Sequence, residues 1–306
     1  MNSSASGFSQ IDDFLHDPSD DFYHTETYWF SFFVPERRVG AWIYLGIRQN
    51  AGTTGGGLYL WDHTATLPWD LPFYEQFAAV KLPTLTGATL SCATGATITV
   101  IEPAKVYRVQ YTDRDRVAVD VTFCGLEAPV PLRRGAPPFP AASHYDQSGH
   151  VTGSLVLDGE QIDVDCYAMR DRSWGPRRER GTPRIGYTWL ADADSTLMTF
   201  SSPTETSDDV HAGYLRRDAR TARVGRGHRT TRRDPHNAWI DGIDLAVVDE
   251  TGREFTATGK ALSRFILPRA THVCVNTFLE FDVDGRTVFG EDQDVWPITA
   301  FRRARR

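Results

Sequence analysis

The feature that most constrains this chain is an alternation of apolar and polar residues in short segments along most of its length. β-Branched and aromatic residues dominate these segments, and turn-forming residues interrupt them at short intervals. The clearest segments are 27–34, 39–47, 97–106, 117–123, 153–169 and 185–190. Successive side chains of a β-strand point to opposite faces, so a period of two predicts strands, and a helical period is hard to find. The sequence therefore predicts an all-β protein built from barrels or sandwiches.

A proline-rich stretch divides the strand-like segments into two groups. Residues 127–143 read EAPVPLRRGAPPFPAAS and contain five prolines. Proline has no backbone N–H to donate to a β-ladder, so this stretch is predicted to connect strands rather than to form one. We expect an N-terminal β domain over 1–126, a linker over 127–143 and a C-terminal β domain over 144–306. The alternative is a single barrel with a long internal loop.

Charge and hydropathy argue against several classes of partner. The formal net charge of −7 disfavours nucleic-acid binding. Apolar runs of only a few residues are too short to span a bilayer, and the N-terminus lacks the pattern of a secretory signal. We therefore expect a cytoplasmic protein with no nucleic-acid partner and no integral membrane association. An unpaired strand edge would allow a homodimer.

The sequence also lacks the usual motifs for cofactors and metals. It contains neither a glycine-rich phosphate loop with its lysine nor a dinucleotide-binding fingerprint. The four cysteines are scattered, and the nine histidines form no HxH or HExxH pair. We therefore predict that the protein uses no cofactor and holds no metal.

Two arginines at the end of a strand-like run are the most unusual feature. The alternation continues an apolar row into Arg170, Arg172 and Trp174, and it places Asp171 and Ser173 on the opposite face. A buried guanidinium is costly unless it is paired. The arginines are therefore expected either in an Arg–Asp network that closes a barrel end or at the mouth of an open cavity.

A carboxylate lies among aromatic residues in the first strand-like segment. One row of the segment 22–34 contains His24, Glu26 and Tyr28. Apolar surroundings disfavour the charged form of a carboxyl group, so we expect the pKa of Glu26 to be raised into the range of a general acid. The alternative is that Glu26 pairs with Arg170 or Arg172 and holds two sheets together.

The run that follows the proline-rich stretch resembles a known group of β proteins. It contains H-Y-x-Q and then R-D-x-S-W-G-x-R. This run is similar to the junction of a two-domain, lipocalin-like superfamily that includes carotenoid 1,2-hydratases, fungal lipocalin-like Diels–Alderases and bacterial relatives. The resemblance implies two lipocalin-like β-barrel or β-sandwich domains joined by the proline-rich linker, with a hydrophobic ligand site between or inside them. The matching positions are His144, Tyr145, Gln147, Gly153, Arg170, Asp171, Ser173, Trp174, Gly175 and Arg177.

Together, these features favour a cofactor-independent enzyme of the hydratase (lyase), isomerase or cyclase type. Its substrate would be a hydrophobic small molecule of the terpenoid, polyketide or lipid-like class. Asp171 or Glu26 would donate a proton, and His144 would position water or take the proton back. The alternatives are a non-catalytic carrier or sensor of a hydrophobic ligand, and a structural β module. The residues expected to contact the substrate are Trp174, Tyr28, Trp29, Arg170, Arg172, Arg177, Tyr145, Gln147 and Ser173.

Overall fold

The chain folds into two compact units, both built from β-strands. The computed structural model describes residues 8–133, 135–178, 181, 183–204 and 207–304. The first unit comprises Met1–Leu60, Phe73–Gly135 and Phe139–Arg177, and the second comprises Trp61–Pro72, Ala136–Pro138 and Arg178–Arg306. The predicted all-β class is confirmed.

The first unit is organised around one twelve-stranded sheet. The strands follow the order β4-β3-β2-β1-β12-β11-β9-β8-β7-β6-β5, and β10 pairs with β11. The strands are β1 His24–Val34, β2 Val39–Arg48, β3 Thr53–Trp61, β4 Phe73–Lys81, β5 Thr84–Thr86, β6 Thr89–Ser91, β7 Ala96–Glu102, β8 Val106–Thr112, β9 Val117–Gly125, β10 Val130–Pro131, β11 Ser143–Leu157 and β12 Glu160–Pro176. Short 3₁₀ turns form at Gln10–Asp13 and Gln49–Ala51 in this unit, and at Pro68–Asp70 in the second unit.

A long hairpin, β11–β12, forms the middle of this sheet. Its pairing runs from Leu157 opposite Glu160 to Ser143 opposite Trp174. The turn residues Asp158 and Gly159 have φ values of 49° and 84°. Positive φ at both central positions is what a two-residue hairpin turn requires, and aspartate–glycine adopts it with little strain. This hairpin determines which side chains of the candidate site become neighbours.

The division of the chain differs from the one expected from the proline-rich stretch. Strands β11 and β12 follow that stretch, yet they belong to the first unit, where β11 pairs with β9 and β12 pairs with β1. The prolines do mark a connection, as expected, but the chain returns to the sheet that it has just left. Apart from the short segments Trp61–Pro72 and Ala136–Pro138, the second unit begins only at Arg178.

The second unit is a closed eight-stranded barrel. Its strands pair in chain order from β13 to β20, and β13 pairs with β20 to close it. Closure leaves no unpaired strand edge in the barrel. The strands are β13 Ile185–Ala191, β14 Ser195–Pro203, β15 Asp208–Arg217, β16 Arg220–Arg233, β17 Ile240–Asp249, β18 Glu254–Pro268, β19 His272–Val283 and β20 Arg286–Pro297, followed by helix α1 Ile298–Ala304. Among the described residues, no helix is both long enough and apolar enough to cross a membrane.

Candidate active site

The expected site residues lie on opposite faces of three neighbouring strands. Strand β12 lies between β1 and β11, and its residues face the two sides of the sheet alternately. In the register, Arg172 lies between Tyr28 and Tyr145, whereas Asp171 lies between Trp29 and Asp146. The alternation predicted from the sequence for β12 therefore holds, and it separates the two arginines from Asp171.

On the face of the arginines, Glu26 is held by a dense set of partners. Arg172 Nη2 donates to Glu26 Oε2 at 2.9 Å, and the backbone N–H of His16 donates to Oε1 at 2.7 Å. The Arg172 guanidinium lies 3.8 Å from the centre of the Tyr28 ring. Glu26 and Arg172 are both fully buried. The arrangement is the ion pair that the sequence offered as the alternative for Glu26.

The expected pKa of Glu26 is wrong in direction. Burial alone would raise this pKa, but the hydrogen bonds from His16 and the charge of Arg172 outweigh burial. The pKa of Glu26 therefore lies below its ordinary value. A carboxylate stabilised in this way stays ionised and is a poor proton donor.

A second buried ion pair lies on the same face. Arg170 Nη2 approaches Asp13 Oδ1 at 3.2 Å, and Arg170 Nε donates to Gln147 at 2.7 Å. The hydroxyl groups of Tyr107 and Tyr145 donate to the same carboxylate oxygen at 2.7 and 3.1 Å. Because its buried charges are paired in this way, the arginine network fits the structural alternative stated above, an Arg–carboxylate network that supports the fold.

An N-terminal segment, residues 8–22, supplies several of these partners. Asp13 is only 2% exposed, and its backbone carbonyl accepts from the Tyr28 hydroxyl at 3.2 Å. His16 stacks on Trp174 with 4.4 Å between the ring centres. Neither Asp13 nor His16 is among the site residues expected from the sequence. No local pattern reveals their role, because the arginines that contact this segment lie far along the chain: Arg170 is 157 positions from Asp13, and Arg172 is 158 positions from Phe14.

The opposite face carries a histidine with two aspartates, which we call the acid cluster: His144, Asp146 and Asp171. His144 Nε2 and Asp146 Oδ2 are 3.0 Å apart, and both side chains are buried. Phe139 stacks on the His144 ring at 4.3 Å. One ligand-type atom from each residue of the cluster lies within 4.8 Å of the other two. The structure thus brings together two of the three catalytic candidates, Asp171 and His144, and leaves Glu26 on the other face.

The surroundings of the acid cluster raise the pKa values of both Asp171 and His144. Burial raises the pKa of Asp171 to about 6, with a further contribution from Asp146 and opposition from His144. The side chain is nevertheless partly exposed, and among the described residues it makes no hydrogen bond. Burial disfavours the protonated form of His144, but the two aspartates outweigh this effect and raise its pKa. A half-buried, unengaged carboxyl group with a raised pKa is the arrangement expected of a proton donor.

Ser173, on β12, and Arg177, just after β12, lie close to the acid cluster. Arg177 Nη1 donates to Ser173 Oγ at 2.8 Å, and Thr27 Oγ1 lies 2.7 Å from the same hydroxyl. The Arg177 guanidinium lies 4.6 Å from the centre of the Phe139 ring. Trp29, on the same face, packs edge-on against Trp42 with 5.4 Å between the ring centres. These groups form the surroundings of Asp171.

The acid cluster also offers the donor atoms that a divalent cation would use. The prediction of no metal rested on the spacing of cysteines and histidines along the sequence and took no account of donors brought together across two strands. Here His144 Nε2 already contacts Asp146 Oδ2 at hydrogen-bond distance, and the two groups share a proton between them. We therefore interpret the cluster as an acid–base group.

Comparison with known proteins places the chain in a family. Residues 9–291 match the family model described as domain of unknown function (DUF7064). The chain belongs to this family. None of the curated proteins compared with this DUF7064 chain matches its sequence.

Solved structures share the fold of this DUF7064 chain. Protein NE1406 of Nitrosomonas europaea, assigned provisionally as an AttH, is 16% identical with a TM-score of 0.59, over 90% of this chain and 93% of that one. CghA is 10% identical with a TM-score of 0.61, over 89% of this chain and 88% of its own. CghA with Sch210972 has the same identity and coverage and a TM-score of 0.57. At these identities the likeness establishes a lipocalin-like β fold.

Proposed function

We propose that this protein is a cofactor-independent enzyme that acts on a hydrophobic small molecule and uses Asp171 as its proton donor. One observation carries the proposal: Asp171 is partly exposed, free of hydrogen bonds among the described residues, and has a pKa of about 6 beside the His144–Asp146 pair. A general acid works best when its pKa lies near the working pH.

The chemistry that suits this cluster is proton transfer to a carbon–carbon double bond. Asp171 gives its proton to one carbon, which leaves a cation on the neighbouring carbon. In a hydration, water held by His144 adds to the cation, and the released proton returns to the cluster. In an isomerisation, the cation instead loses a proton from another carbon to the cluster. In a cyclisation, a second double bond forms a carbon–carbon bond to the cation, and the new cation then loses a proton to the cluster. A positioned acid contributes roughly 10²–10⁴ to the rate, so the shape of the substrate site must supply the rest.

The residues proposed to contact the substrate are those that share a face with Asp171. Trp29 offers an aromatic surface that can stabilise a developing cation. Arg177 offers hydrogen-bond donors for a polar end of the molecule, and Ser173, whose buried hydroxyl already bonds Arg177 and Thr27, holds Arg177 in place. The other residues expected at the site lie on the opposite face of the sheet, and we assign them a structural role there. These are Glu26, Tyr28, Tyr145, Gln147, Arg170, Arg172 and Trp174.

Two further considerations support a small hydrophobic substrate. The fold is shared with CghA, one structure of which contains Sch210972. The face of the sheet that carries Asp171 also carries Trp29 and Trp42, which are large and apolar.

The test compares wild type with Asp171→Asn. Both proteins are incubated with terpenoid, polyketide and lipid extracts in oxygen-18 water, and products are identified by mass spectrometry. Asp165→Asn is the matched control, because Asp165 also lies on β12 and pairs with a histidine of β11, His150, but is exposed. We expect a product that wild type and the control form and that Asp171→Asn does not.

The outcomes distinguish the reactions and the alternative function. Heavy oxygen in the product identifies a hydration, and an unchanged mass identifies an isomerisation or cyclisation. Turnover by Asp171→Asn at the wild-type rate would contradict the assignment of the acid. If all variants retain one unchanged molecule from the extracts, the protein is a carrier. A chelator added to the wild-type reaction leaves the rate unchanged if the cluster transfers protons without a metal.

A further inference from the structure

One end of the barrel in the second unit carries a group of charged and aromatic side chains. Strands β13 and β15 begin at this end, and β16 and β20 finish there. Arg184 precedes β13, Asp208 opens β15, Arg233 closes β16, and Asp294 and Trp296 lie near the end of β20. We call this group the barrel-end cluster. It is independent of the acid cluster, which belongs to the first unit.

Two arginines already use the nearby carboxylates. Arg229 is fully buried, and it donates to Asp292 from Nε at 2.9 Å and from Nη2 at 2.7 Å. Arg229 Nη1 also donates to Asp208. Arg233 Nη1 lies 2.8 Å from Asp294 Oδ2. Each of the three carboxylates therefore has a close guanidinium partner before Arg184 is considered.

Arg184 lacks a hydrogen-bonded partner of this kind. Its guanidinium nitrogens lie 3.6 Å from Asp294 and 3.9 Å from Asp208, too far for hydrogen bonds. The guanidinium lies 3.9 Å from the centre of the Trp296 ring. Burial lowers the pKa of Arg184, and these distant carboxylates only partly oppose it. Arg184 is thus the one arginine of the three at this end whose charge is poorly compensated.

Three buried N–H donors at this end have no acceptor among the described residues. They are Arg184 Nε, Arg233 Nη2 and the indole Nε1 of Trp296. The side chains that carry the two arginine donors are still about one-fifth exposed, at 20% and 21%. Leaving a buried donor without an acceptor costs about 1–3 kcal/mol. Asp294 Oδ1 also lacks a hydrogen-bonded partner, but at 3.6 Å from Arg184 Nη2 it satisfies none of these donors, so the three donors around one tryptophan indicate that an acceptor from outside the chain belongs there.

We propose that the barrel-end cluster binds the carboxylate group of a small organic anion. A carboxylate fits the planar fork of a guanidinium and accepts two parallel hydrogen bonds from it. Its remaining lone pairs can accept from Arg233 and from the indole of Trp296. A single negative charge matches the one poorly compensated arginine, whereas a phosphate dianion would bring a second charge close to Asp294 and Asp208. This binding function goes beyond the proposed proton transfer and does not depend on it.

The test measures binding of sodium butanoate by isothermal titration calorimetry, with uncharged butanamide as the matched ligand. The variants are Arg184→Gln, which removes the charge, and Trp296→Phe, which keeps an aromatic ring but removes the N–H. Arg226→Gln is the control, since Arg226 is an exposed arginine of β16. The indole N–H resonance of Trp296, assigned as the signal that Trp296→Phe lacks, reports whether the ligand reaches this site.

We expect saturable butanoate binding by the wild type, with a shift of the Trp296 resonance. Arg184→Gln should bind at least tenfold more weakly, Trp296→Phe severalfold more weakly, and Arg226→Gln as the wild type does. Asp171→Asn should bind butanoate as the wild type does, so the binding test can succeed or fail whether or not Asp171 is the proton donor of the proposed reaction.

Three results would overturn the proposal. The first is no saturable binding of butanoate by the wild type, which would mean that water satisfies the donors. The others are binding of butanamide as tight as that of butanoate, and butanoate binding by Arg184→Gln as tight as by the wild type. If Arg184→Gln fails to fold, as circular dichroism would reveal, the decision rests on Trp296→Phe and on the wild-type resonance. An unmoved Trp296 resonance at saturating butanoate would then place the ligand elsewhere and refute the site.

Discussion

Replacing Asp171 with asparagine should stabilise the protein at neutral and alkaline pH. Folding moves this carboxyl group from water to the acid cluster and raises its pKa from 3.8 to about 6. The native state therefore disfavours the charged form. An asparagine has nearly the same shape and no charge, so the variant escapes this cost.

The magnitude follows from the two pKa values. Each pH unit between them corresponds to about 1.4 kcal/mol, so the rise is equivalent to about 3 kcal/mol. Because the side chain keeps some contact with water, we take about 2 kcal/mol as the expected gain for Asp171→Asn at pH 8.

The sign determines the pH window of the effect. Below pH 3.8, the carboxyl group is protonated in both the folded and the unfolded state, and the cost is absent. As the pH rises from 3.8 to about 6, the unfolded state loses its proton first, and wild-type stability falls. Above about pH 6, the full cost is present and no longer changes.

Urea denaturation of wild type and Asp171→Asn at pH 4, 6 and 8 measures this difference. The two proteins should differ little at pH 4, and the variant should be more stable by about 2 kcal/mol at pH 8. Asp165→Asn, at an exposed position, should match the wild type throughout. A variant that is less stable than wild type at pH 8, or an offset that is the same at all three values, would refute the reasoning.

Three further predictions concern the two faces of the sheet. Glu26→Gln leaves the charge of Arg172 buried without its partner and should lower the free energy of unfolding in urea by about 3 kcal/mol, whereas Glu160→Gln, at an exposed ion pair, should change it by less than about 1 kcal/mol. Asp13→Asn should accelerate amide hydrogen exchange in the N-terminal segment at least tenfold without unfolding the sheet, and unchanged exchange would contradict its anchoring role. If Asp171 is the proton donor, wild-type turnover should fall about tenfold per pH unit above about pH 6, and a rate that rises over this range would exclude that role.

The strands themselves were predictable, but their order was not. Alternation depends only on neighbouring residues, and it identified the rows of β12 down to the opposite orientations of Asp171 and Arg172. Pairing of β1 with β12 joins residues about 146 positions apart, and no local pattern encodes such a choice. The prolines marked the end of one strand run without indicating that the chain re-enters the same sheet.

The candidate site was predictable in part for the same reason. The sequence indicated Asp171 and His144, and the structure brings them together through the β11–β12 hairpin. It indicated Glu26 as well, but the pKa of a buried carboxyl group depends on its partners as much as on its burial. The sequence offered Arg170 or Arg172 as a partner of Glu26, but His16, the other partner that lowers this pKa, lies in a segment without periodicity and could not be anticipated.

The degree of pairing separates groups that support the fold from groups that are available for function. Arg172 and Asp171 are neighbours on one strand, yet the arginine has four hydrogen-bonded partners and the aspartate has none among the described residues. The same contrast recurs in the barrel, where Arg229 is fully paired and Arg184 is not. A fully paired polar group lowers the energy of the folded state, whereas an under-paired one costs about 1–3 kcal/mol and leaves atoms ready for a ligand or a proton. Sites that act on other molecules commonly retain such a cost, because satisfying every group within the chain would leave nothing to bind with.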